Sequence, residues 1–202
     1  MRTTYAVLML PFLAACHATG GERDLGRVPQ DVVDLYDVAA RDGLIEIELE
    51  RDGRIREMEA QIALTEVPQV AADAAMAFLP AGRVTGAERE ITRFGVAYEV
   101  DFEVGGLAWE VVVDEHGTIV ETEQQLDPRA APKVVIDAAN RTIKDGVLKS
   151  VELVTRGGVS VYHVKKDVLG VSYKLEIAAD GTVERKVREA RAEIEIPLAE
   201  ER

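Results

Sequence analysis

The residues able to carry acid–base, nucleophilic or metal chemistry are few and scattered. The three histidines, His17, His116 and His163, lie far apart and have no partner at the usual helical or short-loop metal-ligand spacing. The serines are Ser150, Ser160 and Ser172. Ser160 and His163 fall three residues apart in one alternating stretch, which points them to opposite faces and excludes a local dyad. The single cysteine, Cys16, excludes an internal disulfide framework and a multi-cysteine zinc site. The glycine pairs at 105–106 and 157–158 lack the strand and helix context of a phosphate cradle. Paired carboxylates arise by chance in a chain with 37 acidic residues, so their presence decides nothing. No nucleophile–base or metal constellation is visible, and the chain reads as a non-enzyme without catalytic residues, metal ligands or cofactor.

Composition narrows the partners. The 24 basic and 37 acidic residues give a net charge of −13, which argues against nucleic acid, since that partner needs a basic footprint. At 202 residues and 47% hydrophobic content the chain can bury a core as one or two domains. No apolar run reaches the roughly 18 residues of a spanning helix.

The N-terminus carries the sharpest signal. Arg2 precedes an apolar run from Tyr5 to Leu13 that has signal-peptide length and is too short to span a bilayer. It ends in Leu13-Ala14-Ala15-Cys16, which resembles the lipobox of bacterial lipoproteins. The resemblance implies cleavage before Cys16, acylation of its thiol and amino group, and an extracytoplasmic protein anchored to the membrane by lipid. His17 is not the Asp that resembles an inner-membrane retention signal, so in a diderm host the resemblance points to the outer membrane. The expected organisation is then a signal peptide over 1–15, a lipidated flexible tether over 16–27 and a folded part from 28 onward.

The elements of the folded part show in its periodicities. Val28, Val32, Leu35, Tyr36 and Ala39 recur at helical spacing, and Gly43 is suited to end that helix. Period-two alternation follows over 44–50 and 54–62 around an Asp52-Gly53 turn. Gly53, Gly117 and Gly181 recur at a fixed spacing of 64. Pro68 and Pro132, Ala74-Ala75 and Ala138-Ala139, Tyr98 and Tyr162, and Trp109 and Tyr173 match in the same register. The pattern predicts two units, 64–127 and 128–202 with its C-terminal tail, each a helix followed by four strands. The segment 28–63 reads as a partial unit of helix plus hairpin. In this reading Val67, Val70, Ala71, Ala74 and Phe78 face the first core, and Val134, Ala138 and Ile143 the second. The fold class expected is α+β, with tandem helix plus four-stranded antiparallel meander units. That arrangement resembles the PepSY-like and β-lactamase-inhibitor-protein-like group of small bacterial secreted domains. The resemblance rests on Trp109 to Ile119, Tyr173 to Val183, the paired alanines and Tyr98-Glu99-Val100-Asp101. It implies a non-catalytic role, inhibition or regulation of hydrolases by binding, and transfers no site residues.

Charge is distributed unevenly over these units. Residues 64–127 hold three basic and thirteen acidic side chains, whereas 128–191 hold thirteen basic and eight acidic ones, including all seven lysines. At positions 64 apart the sign changes: Glu99 against His163, Asp101 against Lys165, Glu110 against Lys174. Glu99 and Asp101 alternate with Val100 and Phe102, so the acids share the face away from the helix. Three readings stand: solvated faces of diverged copies, docking faces for an envelope or secreted protein with candidate residues Glu99, Asp101, Glu110, His163, Lys165 and Lys174, or a cation-binding module. The expectation adopted is the second, a membrane-anchored binding or inhibitory module; the alternative is a structural or stress-related envelope protein without a specific partner.

Overall fold

The computed structural model describes residues 45–190. Cys16, the 1–15 and 16–27 segments, the helix expected near 28–41 and the tail from 191 lie outside the described residues. Among the described residues no helix is long and apolar enough to cross a membrane.

Ten strands follow the alternating stretches: β1 (Ile45–Leu49), β2 (Ile55–Gln61), β3 (Arg83–Thr92), β4 (Gly95–Val104), β5 (Leu107–Asp114), β6 (Ile119–Gln125), β7 (Val147–Arg156), β8 (Val159–Val168), β9 (Val171–Ala178) and β10 (Val183–Arg188). Helix α1 (Gln69–Phe78) connects β2 to β3, and α2 (Lys133–Thr142) connects β6 to β7. All strands join in chain order into a single antiparallel sheet.

This corrects the expected arrangement of tandem helix-plus-meander units with an N-terminal partial unit. The described chain is mostly one continuous ten-stranded sheet that carries two helices. The physical reason lies at the two joints. β6 has no proline to blunt its free edge, and its Glu121 finds Arg156 on the next strand, so its backbone groups pair with β7 from Glu121 opposite Arg156 to Gln125 opposite Glu152. β2 joins β3 in the same way, from Glu57 opposite Thr92 to Gln61 opposite Glu88. A free strand edge is satisfied most cheaply by the next strand, and each connecting helix is short enough to place that strand alongside.

The sheet curls into a half-barrel. Register shifts interrupt five of the nine pairings, at Glu48/Leu49, Val84/Gly86, Val112/Val113, Leu148/Ser150 and Val183/Arg185. Each such bulge bends its strand and adds to the normal twist. The curl brings the outermost strands into contact, and Arg185 of β10 forms an ion pair with Glu48 of β1.

Both helices lie on the convex side. α1 packs on β5 and β4, with Val67, Ala71, Ala75, Val100, Phe102 and Val111 in its core. α2 packs on β9 and β8, with Val135, Ala138, Val151, Val164, Leu175 and Ile177 in its core. Fully burying each of the large side chains contributes about 1.5–3 kcal/mol. Val67 and Ala71 at α1, and Ala138 and Ile143 at α2, are buried as expected, but Val134 is 40% exposed and α1 is turned partly away from the orientation expected. Ala71, Ala72 and Ala75 face the sheet, while Val70 is 49% and Phe78 45% exposed. The large Phe102 side chain closes on Gly82 just past α1, where a Cβ would come 2.7 Å from its ring. Trp109, Tyr98, Tyr162 and Tyr173 are half-buried at the margins of these cores.

Candidate functional site

The curl turns the helix-free face inward and makes a charged trough. Glu46, Glu48, Glu57, Glu59, Glu88 and Glu90 line it from the first three strands. Glu99, Glu110, Glu121, Glu123, Glu152 and Glu176 line it from the strands that follow. Facing these twelve glutamates are three arginines, two lysines and His163, around a cavity of about 160 Å³.

Period-two alternation puts the acids here, and the register then sets them directly opposite one another. Glu46 faces Glu59, which faces Glu90. Glu88 faces Glu99, and Asp101 faces Glu110, which faces Glu123. Like charges directly opposite on adjacent strands are destabilising. Burial and neighbouring carboxylates therefore raise their proton affinity. Burial, reinforced by Glu57, pushes Glu90 up to about 9 and Glu59 up to about 8. Burial with Glu123 beside it pushes Glu110 up to about 8, and burial with Asp101 beside it brings Glu88 to about 7. Glu99 is likewise raised by burial and by Glu110.

Apart from Arg56 on β2, the basic residues sit at the other end of the same face. His163 is 2% exposed and lies between two carboxylates, with Nδ1 3.4 Å from Glu123 Oε1 and Nε2 3.7 Å from Glu176 Oε1. Burial works against its charge, but Glu123 and Glu176 outweigh it and carry the imidazole up to about 9. The imidazole in turn holds Glu176 down at about 2, and overcomes burial to hold Glu123 at about 2. Lys165 Nζ is 4.0 Å from Glu152, and Arg156 Nη2 donates to Glu121 Oε1 at 2.9 Å. Lys174 stands directly opposite Lys165.

All six residues singled out in the sequence lie on this concave side: Glu99 and Asp101 on β4, Glu110 on β5, His163 and Lys165 on β8, and Lys174 on β9. They share one surface of one sheet, not the outer faces of two. His163 and Lys165 have acidic neighbours on adjacent strands. The reading from sequence missed Glu57, Glu59, Glu88, Glu90, Glu121 and Glu123. The alternation of acid and apolar residues that marked β4 is present in β2, and in β3 and β6 the acids keep the same period-two spacing around Arg89 and Thr122; that spacing was the available signal.

No family model matches the sequence, and no curated protein matches it. Among solved structures the chain is similar to a protein from Bacteroides eggerthii proposed to be periplasmic, with a TM-score of 0.52 at 16% identity over 60% of this chain and 88% of that one. It is similar to a DUF2874 family protein from Bacteroides uniformis, with a TM-score of 0.51 at 18% identity over 60% of this chain and 88% of that one. A BLIP-like protein from Bacteroides fragilis aligns at 19% identity over 62% of this chain and 88% of its own length, with a TM-score of 0.49. The likeness to the first two is one of fold.

Proposed function

We propose that the protein is a non-enzymatic binding module of the cell envelope, held to the membrane by lipid on Cys16, whose acidic trough receives a cationic segment of an envelope or secreted protein. One observation carries the reading. Glutamates are set opposite glutamates across neighbouring strands of a single inward face, an arrangement that costs stability and is relieved by a positively charged occupant. The fold likeness to a protein proposed to be periplasmic supports the extracytoplasmic placement. The lipobox-like Leu13-Ala14-Ala15-Cys16 supports the anchor. Inhibition or regulation of a hydrolase is the specific form of binding that the sequence resemblance implies.

Two measurements test this. A fluorescence titration with a lysine-rich peptide should show saturable binding that weakens as salt rises, because screening shortens the range of the acidic field. Compared with the wild type above pH 9, where both carboxyls are ionised, the variant pair Glu59→Gln and Glu90→Gln should bind the peptide more weakly while unfolding at a higher temperature, since neutralisation removes both the attraction and the repulsion. Unchanged affinity in a folded double variant overturns the docking role of the trough. For the anchor, labelled palmitate should enter the wild-type chain and not Cys16→Ala. Equal membrane retention and gel mobility of the two overturn it.

A further inference from the structure

We propose that Glu123, Glu152 and His163 form a site for a divalent transition cation of the zinc class at the basic end of the trough, with Glu176 orienting the imidazole from behind. The three residues come from β6, β7 and β8, and their ligand atoms lie within 4.8 Å of one another. The inference is independent of the docking role and concerns different residues from those that test it.

His163 is the observation that points to a ligand. It is buried to within 2% of complete and makes no hydrogen bond of ordinary length: Nδ1, on the side of Glu123 and Glu152, stands 3.4 Å from Glu123 Oε1, and Nε2, on the far side, stands 3.7 Å from Glu176 Oε1. A buried polar atom left unpaired costs about 1–3 kcal/mol, so a fold retains one where something else uses the side chain. The spacing around the ring fits a metal better than a hydrogen bond. An N–H···O bond spans about 2.7–3.2 Å. The 3.4 Å from Nδ1 to Glu123 Oε1 is the separation of two ligands each about 2.0–2.1 Å from a tetrahedral ion.

The strand order assigns the roles. Glu152 stands directly opposite His163 on β7, with Glu123 on the strand beyond, so Nδ1 and both carboxylates converge from one side. Glu176 stands directly opposite His163 on β9, where it meets Nε2. Ligating histidines donate the second ring N–H to a carboxylate, and Glu176, 3.7 Å away, is the carboxylate that faces it. Nitrogen and carboxylate ligands suit zinc and its neighbours. Calcium prefers six to eight oxygens, which this cluster does not supply. Two groups oppose binding: the imidazole proton, which the cation displaces, and Lys165, which competes for Glu152 from 4.0 Å. A second cluster, Glu88, Glu99 and Asp101, gathers carboxylates without an orphaned buried partner and carries no such inference.

The test is calorimetric titration of the full mature chain with Zn²⁺ alone, and separately with Ca²⁺. One Zn²⁺ per chain is expected, with Ca²⁺ failing to compete. His163→Gln and Glu123→Gln should each abolish that site. Glu176→Gln should weaken it about 10–100-fold, as loss of a carboxylate behind a ligating histidine does. Lys165→Met should tighten it, an effect that a merely structural lysine would not produce. Co²⁺ added to the wild-type chain should give the visible spectrum of a low-coordinate N/O site, which keeps the test independent of how the variants fold. Absence of stoichiometric Zn²⁺ binding, or Zn²⁺ binding indifferent to His163→Gln and Glu123→Gln, overturns the site.

Discussion

Lys166 is a cation inside a hydrophobic core, 2% exposed on the helix-facing side of β8 next to Val164. Its Nζ donates to Asn140 Oδ1 at 2.8 Å and to the Ile143 carbonyl at 2.7 Å, at the C-terminal end of α2. The ammonium thus meets the negative end of the helix and satisfies a carbonyl that the helix cannot. Lys166→Met keeps the stem but leaves that carbonyl unpaired, so it should lower stability by about 1–3 kcal/mol, read as a lower urea midpoint. An unchanged midpoint would mean that the carbonyl finds another donor. The residue is hard to read from sequence, because a lysine at an apolar position signals the end of a strand. The alternation predicts a strand that stops at Lys165, whereas β8 continues to Val168. His163 is hidden for a related reason. Its acidic neighbours Glu123, Glu152 and Glu176 belong to three other strands, so no local spacing announces them.

The helices are held in place by turns as well as by the core. Gly117, in the β5–β6 hairpin, has φ +87°, and a Cβ there would come 2.8 Å from Val70 Cγ2 of α1. Gly53, in the β1–β2 hairpin, has the same φ and open space around it. Alanine at either position meets the left-handed backbone cost of about 1–2 kcal/mol, but only at Gly117 must a helix also move. Gly117→Ala should therefore destabilise clearly more than Gly53→Ala in paired denaturation curves; equal losses would show that α1 does not rest on the turn. The strands and these turns are legible, since period-two alternation and Asp-Gly or His-Gly pairs have local causes. The helix orientation is not. Ala71 is expected on the core face, but alanine and valine are both apolar, and nothing local announces that Ala72 and Ala75 join it while Val70 turns to the hairpin. The joint between β6 and β7 is equally silent, because pairing across it depends on where a helix delivers the next strand.

Across the whole molecule, the contrast between the acidic 64–127 segment and the basic 128–191 segment becomes one polarised inner surface. The curl lets Arg185 reach Glu48, and sets His163 among Glu123 and Glu176. Acids outnumber bases in the trough, and the surplus fixes how stability depends on pH. Glu59, Glu88, Glu90 and Glu110 hold their protons to about 8, 7, 9 and 8 in the fold, against an ordinary value near 4.5. Between those limits the folded chain binds more protons than the unfolded one, so stability falls as pH rises. The contribution of these groups is complete below about pH 4.5 and lost by about pH 9. His163 acts in the same direction, complete below its ordinary 6.5 and lost as pH passes about 9. Glu123 and Glu176, held at about 2, act oppositely and only in acid: their contribution is present above 4.5 and disappears as pH falls towards 2. The maximum therefore lies near pH 4.5–5.5, on the acid side of neutrality. Scanning calorimetry should show the unfolding temperature dropping steadily from pH 5.5 to 9, with a shallower drop in Glu90→Gln, which cannot ionise. A flat or rising profile over that interval would mean that the curled sheet opens and lets water reach its carboxylates before they lose their protons.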